Sequence, residues 1–406
     1  MPPRSVACQL IHYCTRNREI LAVVLEFAAP VALVVCRRMM RALPLVALVC
    51  GLAVLATPAQ KKKKEEETQT LLIPKELPNA VIGDTRRLTF YVTPPSAKGL
   101  LSQQIREALK ALAHEAGNDT VLKIRAFVAG SGDLRRVRDL VSEVFTDRRQ
   151  PLPALSLIQS GGLPLVGAQV VLEAIAAGKK EVSPEGLVFL SAQIAVSDNP
   201  LDPVAPLTTR SLTSLRLAVK AAGSAPGDVV RVTCFLSSIE ALRASRQLVE
   251  AEYPRAALNF VQTQRAPFQA LAACEAVARL RWNTGTRIHI LNPEGLAPEP
   301  GQSQIALVAS PHVVLTGTQV SFGYEEKDAR LALGRLQKAL EQSGVSTRDV
   351  AYAHYYPLSL GIASQVRKIR SEFFDPAHPP AGAMILFEGL PSMDAGFAVD
   401  VVAAKD

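Results

Sequence analysis

The chain has 406 residues, of which 48% are hydrophobic, and a formal net charge of +8 at pH 7. This length predicts two or three domains, each large enough to bury a core. Part of the positive charge is local, because Lys61–Lys64 are followed directly by Glu65–Glu67, as in a solvated tether. No basic face with interleaved aromatic residues follows, so the sequence argues against a nucleic-acid partner.

The N-terminal segment has the order of a secretion signal. Arginines ending at Arg41 precede the apolar run Ala42–Leu55, and the small residue Ala59 follows it. We therefore predict a leader over residues 1–59 that is removed on export to the periplasm or the medium, with no stable membrane association after cleavage. The alternative is a membrane anchor at Ile20–Cys36, which is short for a membrane span.

A short pattern recurs three times after the leader, and it sets the predicted architecture. An amphipathic helix ends at a glycine, and an alternating strand, a second helix, a turn with proline and a strand ending in a carboxylate follow. The glycines are Gly117, Gly223 and Gly344. The turn prolines are Pro164, Pro267 and Pro391, and the carboxylates are Glu173, Glu275 and Asp400. The separation from glycine to proline stays within 44–47 residues, so we interpret the pattern as three tandem units.

The predicted boundaries follow from these patterns. The units are predicted over residues 87–178, 179–283 and 284–406, after a polar linker at 60–86. The first unit predicts strand Leu88–Val92, helix Ser102–Ala116, strand Thr120–Ala129 and helix Asp133–Asp147. The second predicts helix Thr209–Ala222, strand Asp228–Leu236 and helix Ser238–Tyr253. The third predicts helix Asp328–Ser343, strand Asp349–Tyr356 and helix Leu358–Phe374, after a linker at Asn283–Ser303.

Alternation within the strands predicts the fold class. In the second unit Val230, Val232 and Cys234 face one way, while Arg231 and Thr233 face the other. One face is then covered and the other partly open, which indicates an α+β fold with a mixed sheet and helices on one face.

Two cysteines, Cys234 and Cys274, lie outside the predicted leader. In an exported protein they could form a disulfide. We favour the alternative of two buried thiols on neighbouring strands. The six histidines are scattered singly and no CxxC or HxxxH motif occurs, so the sequence predicts neither a metal nor a cofactor.

Several motifs in the second and third units resemble one family. In the second unit they are Ser191-Ala192-Gln193-Ile194, Arg265-Ala266-Pro267 and Glu275-Ala276-Val277-Ala278. In the third unit they are Thr316-Gly317-Thr318-Gln319 and Leu390-Pro391. Together they resemble the Rid family of reactive-intermediate deaminases, also labelled L-PSP endoribonuclease-like, over about residues 87–406.

The resemblance implies a chorismate-mutase-like α+β fold and trimers with ligand clefts between subunits. It also implies the hydrolysis of enamines and imines released by amino-acid-metabolising enzymes. Three copies in one chain then imply a monomer in which the copies form a pseudo-trimer and the clefts become intramolecular.

The residues that would carry this chemistry do not match. The family's carboxylate-binding arginine, nine residues before the turn proline, falls at Leu155, Leu258 and Gly382. The family's water-positioning glutamate falls at Val171, Ala273 and Ala398. None of these residues is charged. Arg255 lies close to Leu258 and could replace the missing arginine only in a shifted loop.

The candidate binding residues are polar groups that the resemblance brings to the clefts. They are Ser191, Gln193, Thr316, Thr318 and Gln319. The alternative, which we favour, is that they satisfy backbone groups at strand ends.

Three further candidates carry charge or an imidazole. Arg265 could meet an anion or be a solvated turn residue, and Glu275 is expected to have a structural hydrogen-bonding role. His354 shares a strand face with Tyr352 and Tyr356, and this face could stack a flat ligand. Packing under a helix is the alternative that we favour.

Three function classes remain open. The preferred one is an exported protein that binds a small carboxylate or imine-like metabolite in its clefts without deaminase chemistry. An enamine or imine deaminase is the second, and a structural or interaction module is the third.

Overall fold

A computed structural model describes residues 74–130, 133–240, 242–297 and 299–406. The predicted leader and residues 60–73 of the predicted linker lie outside the described residues. Within the described ranges, no helix is both long and apolar enough to cross a membrane.

The described residues form strands and helices in mixed order. Strands β1 to β5 are Ala80–Asp84, Leu88–Val92, Thr120–Ala129, Ala154–Ser160 and Val170–Ala177. Strands β6 to β11 are Leu187–Ser197, Val229–Leu236, Ala257–Gln262, Ala270–Arg279, Ile288–Leu291 and Ile305–Val308. Strands β12 to β16 are His312–Thr316, Gln319–Phe322, Val350–Pro357, Ala381–Met384 and Ala395–Lys405. Helices α1 to α6 are Leu101–Ala116, Leu134–Asp147, Val204–Ala221, Leu242–Glu252, Glu326–Gln342 and Leu360–Ile369.

The strands form three sheets. Sheet 1 has the order β2-β5-β3-β4, and sheet 2 has the order β10-β11-β6-β9-β7-β8. Sheet 3 has the order β1-β12-β16-β14-β15, with β13 also paired to β16. In each sheet a long strand pairs antiparallel with a second strand, which pairs in parallel with a third: β5-β3-β4, β9-β7-β8 and β16-β14-β15. The predicted mixed α+β class is confirmed, while the organisation as three copies around a common axis stays a prediction.

Most of the helices form because they present a stripe of aliphatic side chains to their sheet, whereas α4 buries only Ser245 and Val249. In α1, Ile105, Leu109 and Leu112 are buried against sheet 1, and each such side chain contributes roughly 1.5–3 kcal/mol relative to exposure. The helix ends at Gly117, whose φ of 57° is the left-handed value that glycine adopts without strain. Gly223 and Gly344, at the ends of α3 and α5, also have positive φ.

Helix α3 begins at Val204, before the predicted start at Thr209. Pro206 lies in its first turn, where a backbone N–H has no partner within the helix, so proline costs little there. Helix α4 is shorter than predicted, and α6 ends at Ile369 before a short 3-10 turn at Arg370–Glu372.

Strands β1 and β11 each lie in a different sheet from the strand that follows them. Strand β1 precedes β2 of sheet 1 but pairs with β12 of sheet 3, with Ala80 opposite Thr316. Strand β11 precedes β12 of sheet 3 but pairs with β6 of sheet 2, with Ile305 opposite Leu190. The segment that leads into sheet 1 is therefore hydrogen-bonded into sheet 3, and the segment that leads into sheet 3 is hydrogen-bonded into sheet 2.

This exchange corrects two sequence predictions. The prediction of a polar linker over residues 60–86 was wrong for Ala80–Asp84, which forms strand β1. The linker predicted at Asn283–Ser303 contains strand β10. Short strands that bury little surface of their own carry a weak pattern, so only their pairing partners reveal them.

The face opposite the helices is buried, so the expectation of a partly open face was wrong. Arg231 is only 6% exposed and Thr233 is fully buried, because the three sheets pack against one another on this side. An apolar cluster joins Phe127 of sheet 1, Phe235 of sheet 2 and Phe387, which follows β15 of sheet 3. Their ring centroids lie 5.7–6.1 Å apart.

Cys234 and Cys274 form a disulfide in the core between sheet 2 and its helices. The expectation of free thiols was wrong, although their placement on neighbouring strands was right. The two residues are directly opposite in the antiparallel pair of β7 and β9, with their Cα atoms 4.1 Å apart.

Gly382 gives a test of how closely β15 approaches β14. A Cβ atom at this position would lie 2.4 Å from the carbonyl oxygen of Ala353, closer than real contacts allow. We expect Gly382→Ala to lower the free energy of unfolding by about 1–3 kcal/mol in chemical denaturation. Gly334→Ala is the control, since no atom lies within 4 Å of the added methyl group in the interior of α5. It should raise stability by about 0.5–1 kcal/mol. Equal effects of the two changes would contradict the packing argument.

Candidate functional site

Seven ionisable side chains meet where the inner faces of the three sheets converge. They are Lys123, Arg125, Glu173, Arg231, Glu275, His354 and Asp400, and we call them the central cluster. None is more than 6% exposed. Buried charges are tolerated only when they are paired and hydrogen-bonded, so the contacts decide what the cluster does.

The three acids occupy the same place in their sheets. Glu173 lies opposite Arg125, Glu275 lies opposite Thr233, and Asp400 lies opposite His354. In every case the acid is on the central antiparallel strand.

Each acid is bound by residues of another sheet. Glu173 of sheet 1 accepts hydrogen bonds from Thr233 Oγ1 and Asn259 Nδ2 of sheet 2, both at 2.7 Å. Glu275 of sheet 2 accepts a hydrogen bond from Tyr352 of sheet 3 at 2.9 Å, and it also contacts His354.

Asp400 of sheet 3 completes the cycle. It accepts hydrogen bonds from Ser156 Oγ at 2.7 Å and from Lys123 Nζ at 2.5 Å, both of sheet 1. Tyr356 of its own sheet donates a further bond at 2.9 Å. The contacts therefore run from sheet 1 to sheet 2, from sheet 2 to sheet 3, and from sheet 3 back to sheet 1.

Arg125 joins two of these acids. Its Nε and Nη2 donate to Glu173 Oε2 at 2.8 and 2.6 Å, and Nη2 also donates to Glu275 Oε1 at 2.7 Å. Its guanidinium carbon lies 5.2 Å from the centre of the Phe127 ring. Burial alone would lower the pKa of Arg125, but the two carboxylates raise it well above its ordinary value.

The pKa values of the three acids are shifted in the opposite direction, below their ordinary values. Burial alone would raise the pKa of Glu173, but Arg125 and Arg231 hold it below its ordinary value. Burial is likewise outweighed at Glu275, where His354 and Arg125 hold the pKa well below its usual range, and at Asp400, where Lys123 and His354 do so. These three acids are therefore ionised at neutral pH.

His354 lies between two carboxylates. Its Nδ1 is 3.2 Å from Asp400 Oδ1, and its Nε2 is 3.0 Å from Glu275 Oε1. His354 thus neither stacks a flat ligand nor packs under a helix, and both interpretations of the strand face shared with Tyr352 and Tyr356 were wrong.

The space within the central cluster is small. A cavity of about 20 Å³ is lined by Lys123, Arg125, Glu173, Arg231 and His354 among others. This volume is sufficient for about one water molecule. The cluster therefore holds the sheets together and offers no room for a metabolite. Among the described residues, no group of His, Cys, Asp and Glu side chains is arranged to hold a metal ion.

Two clefts lie at the boundaries between sheets. The sheet 2–3 cleft has a volume of about 360 Å³, and Gln193 lines it. The sheet 1–3 cleft has a volume of about 1120 Å³, and Thr318, Gln319 and Leu155 line it. Ligand sites commonly measure about 300–1,000 Å³, so both clefts are of a suitable size.

Two of the sequence candidates support backbone groups instead of facing a cleft. Ser191 Oγ donates to the carbonyl of Ser303 at 2.6 Å and accepts from the N–H of Gly382 at 2.7 Å. Thr316 Oγ1 accepts from the N–H of Val401 at 2.9 Å. The alternative of satisfied backbone groups holds for these two residues.

Two arginine candidates remain on the surface. Arg255 is exposed and lines neither cleft. Arg265 is exposed and lies 3.5 Å from the carboxylate of Glu388. Neither replaces the arginine that the family resemblance implies.

The sequence did not identify the cationic half of the central cluster. Lys123 and Arg125 lie two residues apart on one face of the apolar strand Thr120–Ala129. Charged residues on a covered strand require partners, and this pattern was the sequence signal for a buried charged cluster. Their partners Glu275 and Asp400 are more than 100 residues distant in the sequence, so the pairing was not predictable.

Comparisons with known proteins concern the fold over part of the chain. No protein-family model and no curated protein matches the sequence. A Rid-family protein of unknown function from Yersinia pestis is 18% identical over 30% of this chain and 100% of its own, with a TM-score of 0.26. A YjgF-family member from Neisseria meningitidis is 15% identical over 29% of this chain and 95% of its own, with a TM-score of 0.22. An uncharacterised protein from Pseudomonas aeruginosa is 19% identical over 29% and 100% of the two chains, also with a TM-score of 0.22.

Replacing Asp400 tests the role of the central cluster. Asp400→Asn removes the charge that compensates buried Lys123, so we expect a loss of about 3–5 kcal/mol in the free energy of unfolding. Glu372→Gln, which breaks an exposed ion pair with Arg330, is the control and should have no measurable effect.

The stability of the wild-type protein should also depend on pH if the three buried acids stabilise the fold. The acids have folded pKa values below their ordinary values of 4.5 for glutamate and 3.8 for aspartate, so their contribution is complete above those values. It is lost progressively as the pH falls below about 4.5. A tolerated Asp400→Asn change, or stability that is constant down to about pH 3, would contradict the structural role.

Proposed function

We propose that this protein is an exported, monomeric, three-unit member of the Rid-like fold that binds small metabolites between its sheets without deaminase chemistry. The observation that carries the proposal is the charge balance of the clefts. The charged residues lining the sheet 2–3 cleft are Glu299 and Arg367, which pair with each other at 2.9 Å. Those lining the sheet 1–3 cleft are Asp133, Arg135, Arg138, Glu388 and Asp394.

Neither cleft therefore has an excess of positive charge with which to hold a carboxylate. Of the carboxylate and imine-like ligands expected from the sequence, an uncharged one fits this balance better, because a buried anion requires a cationic partner.

The positions implied by the family resemblance support the absence of chemistry. Leu155 lines the sheet 1–3 cleft, Leu258 packs against the core of sheet 2, and Gly382 has no room for a side chain. An arginine at position 155 would have to leave the apolar core of sheet 1 for the sheet 1–3 cleft, and Gly382 could not become arginine without a backbone shift.

The three positions that correspond to the family's water-positioning glutamate do not line the clefts. Val171, Ala273 and Ala398 are buried in the apolar cluster shared by the three sheets. A carboxylate there would be desolvated and could not activate a water molecule from solvent.

The common strand pairing and the cyclic contacts of the three acids support a pseudo-trimer within one chain. A structural or interaction module is the second candidate, because the central cluster itself has a purely structural geometry. The two candidates differ in whether the clefts bind ligands.

Blocking one cleft tests ligand binding. Ile194 and Val196 lie two residues apart on β6, and their side chains are 47% and 40% exposed. Only Ile194 lines the sheet 2–3 cleft. Ligand-observed NMR with a panel of amino acids, 2-oxo acids, amides and imine analogues should find ligands of the wild-type protein. Binding of those that occupy this cleft should be lost in Ile194→Trp and kept in Val196→Trp. A panel without any ligand would favour the structural module.

The second test measures catalysis. Because neither cleft has an excess of positive charge to hold the substrate carboxylate, we expect hydrolysis of 2-iminopropanoate to remain near the uncatalysed rate. Losing such a charge pair costs about 3–5 kcal/mol, or roughly two to four decades in rate if it is fully expressed. Rapid hydrolysis by the wild-type protein would establish the deaminase alternative instead. Leu155→Arg is the informative gain-of-function variant, because its side chain would enter the larger cleft; it should improve the binding of small 2-oxo acids.

A further inference from the structure

The sheet 2–3 cleft is lined by an unusual number of glutamines. They are Gln193, Gln264, Gln269, Gln302 and Gln304. Apolar side chains, including Phe268, Leu271 and Leu386, form much of the remaining wall. A site of this kind has hydrogen-bonding capacity without net charge.

The orientation of four of these amides is fixed by backbone carbonyls. Gln193 Nε2 donates to Ser191 O at 3.0 Å, and Gln264 Nε2 donates to Phe387 O at 3.2 Å. A carbonyl oxygen can only accept, so each amide nitrogen must face it and each amide oxygen must point elsewhere. The choice between amide nitrogen and oxygen is thus settled by chemistry.

The other two amides are fixed in the same way. Gln302 Nε2 donates to Gly382 O at 2.9 Å, and Gln304 Nε2 donates to Ala297 O at 2.7 Å. Their oxygens have partners, because Gln304 Oε1 accepts from Gln193 and Gln302 Oε1 accepts from Arg370.

The result is that two amide oxygens with fixed orientation are available as acceptors in the cleft, beside the side chain of Arg367, whose Nε is paired with Glu299. Among the described residues, Gln193 Oε1 and Gln264 Oε1 have no hydrogen-bond partner, and the amide of Gln269 is unengaged. A carboxylate would place its oxygens against these amide oxygens, whereas a ligand with N–H donors would satisfy them. A cation would lose hydration without gaining a counter-charge, because Glu299 is already paired with Arg367.

We propose that the sheet 2–3 cleft binds an uncharged small molecule that presents N–H donors beside an apolar body, such as a primary carboxamide. This inference rests on the proposed function, and it specifies the ligand class of one cleft. The apolar body would lie against Phe268 and Leu271, and the amide would donate to Gln193 Oε1 and Gln264 Oε1.

The test compares benzamide with benzoate, which have nearly the same shape and differ in charge and donors. Titrations of the purified protein followed by NMR should show benzamide binding at least about tenfold more tightly than benzoate. Gln264→Leu should weaken benzamide binding about 3–10-fold, the range expected for one lost hydrogen bond. Gln262→Leu is the matched control and should have no effect, because Gln262 lies two residues away, donates to Ser237 O and does not line the cleft.

The outcomes separate this inference from the proposed function. Benzoate binding as tightly as benzamide, or benzamide binding that is unchanged in Gln264→Leu, would overturn the inference. The same is true if neither probe binds while other small molecules bind in the cleft, and in each of these cases the proposed function stands. If only the sheet 1–3 cleft takes a small molecule, the inference fails and the proposed function stands. If no small molecule of any charge occupies either cleft, both fail.

Discussion

The fold depends on three buried carboxylates that no sheet can satisfy by itself. Glu173, Glu275 and Asp400 each accept hydrogen bonds from the neighbouring sheet, in cyclic order. A buried acid without its partners costs several kcal/mol, so a sheet separated from the others would be destabilised at its centre. The apolar clusters supply most of the burial between the sheets, but they specify no order. The hydrogen bonds to the acids require a particular sheet on each side.

The charges also show that the sheets are not interchangeable. Sheet 1 contributes Lys123 and Arg125, sheet 2 contributes Arg231, and sheet 3 contributes only His354, while each sheet contributes one acid. Three copies of sheet 1 would bring six cations to three acids, and three copies of sheet 2 would lose the donors of Tyr352 and His354. One of each sheet supplies both the cations Lys123, Arg125 and Arg231 and the hydrogen-bond donors Tyr352 and His354. We therefore regard the central cluster as a device that fixes the composition and order of the assembly, the use of buried polar groups that is best attested.

Sequence reasoning succeeded where the signal was local. The helices with leucine stripes, their terminal glycines and the strands Leu88–Val92 and Thr120–Ala129 appear at or near the predicted bounds, because periodicity and backbone conformation are encoded within a few residues. It failed where partners are distant. Ala80–Asp84 becomes a strand only beside β12, and the cysteine pairing depends on the register of β7 and β9. For the site, Gln193, Thr318 and Gln319 do line the clefts, whereas His354 and Glu275 are part of the central cluster.

The central cluster also gives a structural reason for the acid at position 275. Glu275 is held by Arg125, Tyr352 and His354, so replacing it would cost stability whether or not a reaction takes place nearby. Leu155 lines the sheet 1–3 cleft and also packs in the apolar core of sheet 1, so exchanging it would affect both. The contacts of Glu275 therefore account for an acid at this position by packing and hydrogen bonding alone. The glutamines of the sheet 2–3 cleft combine both roles, because four of them donate to backbone carbonyls and so support the structure while they form part of the cleft wall.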